Sequence, residues 1–240
     1  MTALSVYVGN DPAALAAYQA WLGRPVDDVL FYLNNDSWAA FDSSVPWAVG
    51  LWAPSQTSVI WSVPLTVWGT ALDEVATGAY DAHFLKAAQA LAAGRSEAGP
   101  IYVRLGWEFN GSWMPWAAQG HEAAFVTAFQ NVVSLFRSVS DQFRFVWDVN
   151  AGGSYDPAKA YPGDAYVDVV GMDFYYNTAW DPTDPLKAFA SKVSQSYGLQ
   201  WQQDFAAAHG KATAISEWGV QTDGAGAYIA AAAKWFADHG

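Results

Sequence analysis

The sequence predicts an α/β protein built as a (β/α)8 barrel, and three observations predict it. Short apolar runs alternate with helical patterns along the chain, which implies βα units and a parallel sheet. The length, 240 residues, suits such a barrel as a single domain over residues 1–240. Polar residues gather just after the apolar runs, at the end of the strands where a barrel of this kind carries its chemistry.

The elements follow in order. Leu4-Ser5-Val6-Tyr7-Val8-Gly9 reads as the first strand. Asp11-Pro12 opens a helix through Leu15, Tyr18 and Leu22, and Gly23 stops it. Val29–Leu33 is a buried strand running into Asn34-Asn35-Asp36, a turn with Asx hydrogen bonds. Residues 37–57 read as a loop with a short helix around Val45–Leu51. Val59–Leu65 is the third strand, followed by a long loop holding Trp68, then a helix from Asp81 to Ala93 stopped by Gly94.

Ile101–Gly106 is the fourth strand. His121 to Val139 is strongly amphipathic, with Phe125, Phe129, Val132, Val133 and Phe136 at three- and four-residue spacing. Phe143–Trp147 and Val167–Met172 are the fifth and sixth strands, running into Asp148-Val149-Asn150 and Asp173-Phe174-Tyr175-Tyr176. A helical region from Pro185 to Ala208, with a break, ends at Gly210. Ala212–Ser216 is the seventh strand, running into Glu217-Trp218-Gly219, and a helix from Gly226 to Asp238 follows. Seven strands are thus found where a closed barrel needs eight. Counting Trp47–Trp52 as a strand is disfavoured by Pro46 and Gly50, so the preferred reading is a barrel truncated before its eighth strand, which would lie beyond Gly240.

Composition narrows the function. Net charge is −12, from 23 acidic and 11 basic residues, and such a surface repels phosphate backbones. No nucleic-acid partner and no membrane contact are expected, whereas a neutral polysaccharide or oligosaccharide fits. Cysteine is absent, which excludes disulfides and thiolate metal sites. The four histidines, His83, His121, His209 and His239, are scattered over helices or their ends, so no metal and no Ser–His relay are expected. Gly152-Gly153-Ser154 lacks the lysine and spacing of a phosphate loop, and no cofactor is expected. Met1-Thr2-Ala3-Leu4 shows neither a basic start nor an apolar segment, so no leader is read there; a secreted or periplasmic setting fits a polysaccharide substrate. The 14 Trp, 12 Tyr and 13 Phe serve mainly a large core, but aromatic faces also pack against the C–H faces of sugars.

The chemistry centres on two glutamates. Glu108 and Glu217 each end an apolar strand in an aromatic context, and glycoside hydrolysis needs two such carboxyl groups flanking the scissile bond. Arg104 lies on Glu108's own strand, and a guanidinium beside one glutamate would hold it ionised as a nucleophile requires. The other glutamate, against aromatic walls, would be the acid. Asp148 and Asp173 end strands as well; hydrogen bonds to neighbouring segments are their first reading, contact with substrate hydroxyls the second.

Arg104-Leu105-Gly106-Trp107-Glu108-Phe109-Asn110-Gly111-Ser112-Trp113 resembles the strand-four motif of glycoside hydrolase family 26, the β-mannanase family of the large retaining (β/α)8 clan. That family typically reads Arg-Pro-x-His-Glu-x-Asn-Gly-x-Trp. Val170–Tyr175 resembles its strand-six segment, and Ile215-Ser216-Glu217-Trp218-Gly219 looks like its nucleophile strand. The resemblance implies Glu108 as acid/base and Glu217 as nucleophile, with Arg104 and Tyr175 orienting the nucleophile. It further implies a substrate-binding set of Trp107, Asn110, Trp113, Trp147, Asp173 and Trp218 beside them. Trp107 stands where the family has histidine and Leu105 where it has proline, departures that bear on sugar preference more than on reaction type. The expected function is a retaining endo-acting glycosidase on β-mannan-like polysaccharide, β-glucan or bacterial exopolysaccharide. The alternative is a non-catalytic glycan-binding module on the same barrel.

Overall fold

The computed structural model describes residues 3–94 and 99–239. Met1 and Thr2, where the leader reading starts, and Gly240, beyond which the eighth strand was expected, lie outside the described residues. Seven strands run in chain order: β1 (Ser5–Val6), β2 (Asp28–Tyr32), β3 (Ser58–Val63), β4 (Ile101–Leu105), β5 (Phe143–Asn150), β6 (Val169–Tyr176) and β7 (Ala212–Val220). Each pairs in parallel with the next, and among the described residues β1 and β7 do not pair with each other. The sheet is nevertheless curled, because Tyr32 Oη at the end of β2 donates to Glu217 Oε1 on β7 at 2.5 Å. The result is an open barrel of the α/β class.

The helices are α1 (Pro12–Leu22), α2 (Trp38–Trp52), α3 (Leu72–Ala76), α4 (Asp81–Ala93), α5 (Glu122–Val139), α6 (Pro185–Ser194), α7 (Leu199–His209) and α8 (Gly226–His239). Local chemistry sets the ends of α1. The Asp11 side chain accepts from Ala13 N at 2.9 Å, Pro12 occupies the first turn, and Gly23 takes the left-handed conformation that closes the helix. Where the sequence suggests a loop with only a short helix around Val45–Leu51 in residues 37–57, the structure has a longer helix there, the fifteen-residue α2. Phe41, Val45, Ala48 and Trp52 form one fully buried stripe on it. Burial of that stripe, at about 1.5–3 kcal/mol per large side chain, offsets the cost of Pro46 and Gly50 in mid-helix. The loop around Trp68 also conceals the short α3. The break between α6 and α7 falls at Tyr197 and Gly198, where a Cβ on Gly198 would lie 2.4 Å from the Lys192 carbonyl oxygen.

Strand alternation sorts side chains into two layers. On β5, Phe143, Phe145 and Trp147 face the helices, against Phe136, Phe129 and Phe205 respectively. On β6, Met172, Phe174 and Tyr176 do the same, in a smaller apolar cluster with Ala188, Phe189 and Tyr228. The opposite parity, which includes Arg104, Asp148, Asn150, Asp173 and Tyr175, faces the barrel interior, where these side chains bond to one another or to the two glutamates. The core therefore lies outside the sheet, and the upper interior is left for charge.

Candidate active site

The interior at the C-terminal ends of the strands is organised by Arg104. Its side chain is fully buried. Nε donates to Asp148 Oδ2 at 2.5 Å, and Nη2 donates to Asp173 Oδ2 and lies 2.7 Å from Glu217 Oε1. Nη1 reaches Ser62 Oγ at 3.3 Å and Tyr32 Oη at 3.4 Å. One guanidinium thus gathers carboxylates from β5, β6 and β7, a task suited to its fixed fork of donors.

Glu217 reaches this position through an irregularity in β7. Met172 pairs with Ile215, but the next pair is Asp173 with Glu217, so Ser216 is the extra residue of a bulge. Two consecutive residues then face inward. Ser216 Oγ donates to Asp148 Oδ1 at 2.7 Å, and Glu217 meets Arg104 and two phenols. Tyr175 Oη donates to Glu217 Oε2 at 2.6 Å, opposite the Tyr32 contact on Oε1. Gly171 makes room beneath, since a Cβ there would lie 2.1 Å from Asp148 Oδ1 and 2.7 Å from Ser216 Oγ. Gly171→Ala is expected to lower stability by about 1–3 kcal/mol. A fall in thermal midpoint measured beside a surface Gly→Ala control, such as Gly226, checks this.

Electrostatics divide the carboxyls. Burial would raise Glu217, but the Arg104 charge and the donors Tyr175, Tyr32 and Arg104 outweigh it and hold the group below the ordinary glutamate value. Burial pushes Asp148 up despite Arg104 and Ser216, and pushes Asp173 well above the ordinary aspartate value. Asp173 Oδ1 is buried with no hydrogen-bond partner, as suits a carboxyl not fully served as an anion. Burial also raises the two phenols, Tyr32 and Tyr175, which therefore remain donors to Glu217.

Glu108 sits opposite in a different setting. The chain leaves β4 through two left-handed residues, Gly106 at φ +57° and Glu108 at φ +52°. For a glutamate that conformation is strained, by about 1–3 kcal/mol. The Glu108 N–H donates to Asp148 O at 3.0 Å, which ties the turn to β5. Asn150 Nδ2 donates to Oε1 at 2.7 Å and Trp113 Nε1 donates to Oε2 at 2.8 Å. Burial raises Glu108 above the ordinary glutamate value against the pull of those two donors, and the charges of Glu217 and Asp148 add to the rise.

The residues expected from sequence fall into two groups. Glu108, Glu217, Trp113 and Tyr175 come together at the mouth. The other expected residues are placed elsewhere. Trp147 is fully buried on the outer face of β5, where Trp147 Nε1 donates to the Ala160 carbonyl and its ring packs on Phe109 and Phe205, so it lines the core and no cleft. Trp218 is 37% exposed but follows the bulge, so it lies on the face of β7 opposite Glu217, against Phe174 and Phe236. Arg104 and Asp173 are sealed from solvent, so neither reaches substrate: Arg104 contacts Glu217, and Asp173 pairs with Arg104. Asn110 uses its side chain to clamp Asn150, donating to its carbonyl and accepting from its N–H, both at 2.8 Å. Trp107 keeps only 5% of its surface exposed, edge-on to Tyr32 and Trp116 behind the site.

Residues the sequence reading passed over are Tyr32, Ser62, Asn150 and Ser216. The signal for the first three was parity, since each shares an inward face with a residue already singled out or paired to one. Ser216 had no such signal, because a bulge changes the count. Further exposed aromatics stand at strand ends or the loops that follow them: Tyr7, Trp68 and Trp180. Tyr7 packs edge-on against Tyr32, the phenol that touches Glu217.

A family model described as Glycosyl hydrolase family 26 matches residues 23–217. Over 212 residues the chain is 29% identical to Endoglucanase H of Acetivibrio thermocellus, covering 83% of this chain and 21% of that protein. Over 159 residues it is 31% identical to a mannan endo-1,4-beta-mannosidase of Bifidobacterium adolescentis, covering 61% of this chain and 16% of that protein. The chain thus spans about a fifth or less of the length of these relatives. Among solved structures, the YdhT protein from Bacillus subtilis is similar with a TM-score of 0.66 at 17% identity, over 98% of this chain and 77% of that one. A β-mannanase from a symbiotic protist of the termite Reticulitermes speratus, complexed with gluco-manno-oligosaccharide, gives 0.57 at 18% identity, over 90% and 78%. The β-mannanase BoMan26A from Bacteroides ovatus gives 0.55 at 17% identity, over 82% and 63%. At these identities the structural likeness shows the barrel fold.

Proposed function

Because this chain belongs to glycosyl hydrolase family 26, we propose that it hydrolyses a β-linked polysaccharide with retention of configuration, Glu217 acting as nucleophile and Glu108 as acid and base. The observation that carries the reading is the unlike setting of the two glutamates. Glu217 is held ionised by Arg104 and two phenols, while Glu108 is raised by burial. Paired carboxyls pushed apart in this way take opposite roles.

In the first step Glu108 gives its proton to the glycosidic oxygen as the bond to the anomeric carbon breaks, and Glu217 Oε bonds to that carbon. Loss of the Glu217 charge leaves Arg104 facing Asp148 and Asp173, so the guanidinium stays paired throughout. In the second step Glu108, now a carboxylate, takes a proton from water, whose oxygen displaces Glu217. β-Mannan and β-glucan are the leading substrate classes, supported by the names of the relatives. A binding module without activity would have no use for one glutamate held below its ordinary value and another raised above it, which disfavours that alternative.

The test is a panel of β-1,4-mannan, mixed-linkage β-glucan, xylan and bacterial exopolysaccharides, with early products followed by proton NMR. The β-anomer should appear first on the polysaccharide that is cleaved. Glu108→Gln should lower kcat by about 10²–10⁴ and remove the basic limb of the pH profile. Its melting temperature should change little, since the amide keeps the shape and relieves the cost of burying charge while giving up one of the two N–H bonds the carboxyl accepts. Undiminished hydrolysis by Glu108→Gln, or the α-anomer appearing first, would overturn the proposal.

A further inference from the structure

The two oxygens of Glu108 are held differently. Oε1 meets Asn150 Nδ2, and Asn150 is itself fixed through its backbone by both ends of the Asn110 amide. Oε2 meets the indole N–H of Trp113, a side chain 50% exposed to solvent. That indole lies over Gly111, where an added Cβ would sit 2.4 Å from Cη2 and Cζ2 and 2.6 Å from Cε2 of the ring. One donor is thus locked, and the other rests in the open over a residue with no side chain.

An N–H donor on each oxygen suits a carboxylate. A general acid must instead carry a proton on one oxygen and point it at the leaving oxygen, and a donor resting on that oxygen favours the ionised form and crowds the leaving oxygen's approach. The Asn150 backbone is pinned by its two bonds to Asn110, and its part-buried amide on the inner face of β5 has no open solvent to swing into. Trp113 has such space.

We propose that Trp113 is a displaceable latch on Glu108: in the free protein its indole N–H occupies Oε2, Gly111 makes room for it there, and a glycan entering the mouth takes its place. This rests on Glu108 being the acid. Trp113 is a positioning residue in this scheme, and its hydrogen bond belongs to the resting state. The other charged and titratable groups that face Glu108 are Glu217 on β7, Asp148 on β5, and Asp173 and Tyr175 on β6, with Arg104 on β4 behind them. None of them is altered in the variants below.

The sign follows from the donor. A hydrogen bond to the ionised form lowers the Glu108 value, so removing it raises that value and moves the basic limb of kcat/KM, a property of the free enzyme, to higher pH. The limb of kcat reports the complex, in which the latch is already displaced. Wild type should therefore lose kcat/KM at lower pH than it loses kcat. Trp113→Phe keeps the ring and removes the N–H. Gly111→Ala keeps the N–H and drives the ring off the carboxyl. Both should narrow the gap between the two limbs on the polysaccharide cleaved fastest in the panel.

A second measurement needs no substrate. Carbon-13 NMR titration of glutamate-labelled protein, with the Glu108 signal assigned by its loss in Glu108→Gln, should give a midpoint higher by roughly one unit in both variants. An unchanged Glu108 midpoint in both, with an unchanged gap between the limbs, would overturn the latch. If Glu108→Gln remains active while the midpoints still shift, it is the assignment of the acid that has failed, and the resting hydrogen bond stands without its catalytic meaning.

Discussion

Arg104→Met is expected to destabilise the protein by about 3–5 kcal/mol near neutral pH, a fall in melting temperature of roughly 10 °C. Methionine fills much of the volume, so the loss is electrostatic. Arg104 is the cation at the centre of the cluster of Asp148, Asp173 and Glu217, and its removal leaves three buried or half-buried carboxyls facing one another. The penalty should depend on pH with a definite sign. In the wild type Glu217 sits below its ordinary value, so its contribution is present above the unfolded value and is lost as pH falls through the folded one. Asp148 and Asp173 sit above theirs, so stability falls as pH rises from the ordinary aspartate value through their folded values.

Without Arg104 only the Tyr32 and Tyr175 phenols oppose the burial of Glu217, whose value should then rise and join the second group. All three then bind protons more tightly folded than unfolded, and acidification should restore stability to the variant. Chemical or thermal unfolding near pH 7 and near pH 5 measures this. The difference between wild type and variant should shrink at the lower pH, and a difference that does not change would show that Arg104 acts through packing. Arg104→Lys keeps the charge but loses the fork, since one ammonium cannot meet β5, β6 and β7 together, and it should fall between the two.

Glu217→Ala is expected to lower kcat by roughly 10⁴-fold or more, the scale on which removal of a covalent nucleophile acts. The fold should survive better than in Arg104→Met, because Arg104 keeps Asp148 and Asp173, and the space left by the side chain opens to the mouth. Azide supplied to this variant should fill that space and attack the anomeric carbon from the face Glu217 used. The product would be the α-glycosyl azide from a β-linked substrate, identified by proton NMR. Recovery of activity with the β-azide, or no loss of hydrolysis in the variant, would remove Glu217 from the nucleophile role. Tyr32 and Tyr175 bear on the same proposed step, since both phenols donate to the Glu217 oxygens.

The pattern of elements was legible in the sequence because a parallel sheet covered by helices writes itself in apolar runs. Val29–Leu33, Ile101–Gly106 and Phe143–Trp147 are strands as read, and Asp11-Pro12 and Gly23 bound α1 as their chemistry requires. The failure at residues 37–57 has a plain cause. Pro46 and Gly50 are local penalties, and the burial of Phe41, Val45, Ala48 and Trp52 that outweighs them is a property of the packed helix layer. The break near Tyr197 was anticipated only as a region for a like reason, since the close approach of Gly198 to the Lys192 carbonyl exists only once α6 and α7 have packed.

At the site, the sequence by itself determined which strand ends carry the two glutamates and that Arg104 shares a strand with one of them. Residue identity and period settle that much. Which glutamate Arg104 serves was implied by the family resemblance, but strand position and spacing left it open until the tertiary structure set Arg104 against Glu217. Arg104 is four residues from Glu108 yet turns away from it, because Gly106 and Glu108 leave β4 in the left-handed conformation and carry the chain out of register. Its guanidinium reaches across the barrel to β5, β6 and β7 instead. The bulge at Ser216 likewise turns Glu217 inward and Trp218 outward, and simple alternation places Trp147 in the core. Direction across a curled sheet depends on backbone geometry at single residues. A sequence states which side chains are present, and only the curled arrangement of strands states which of them meet.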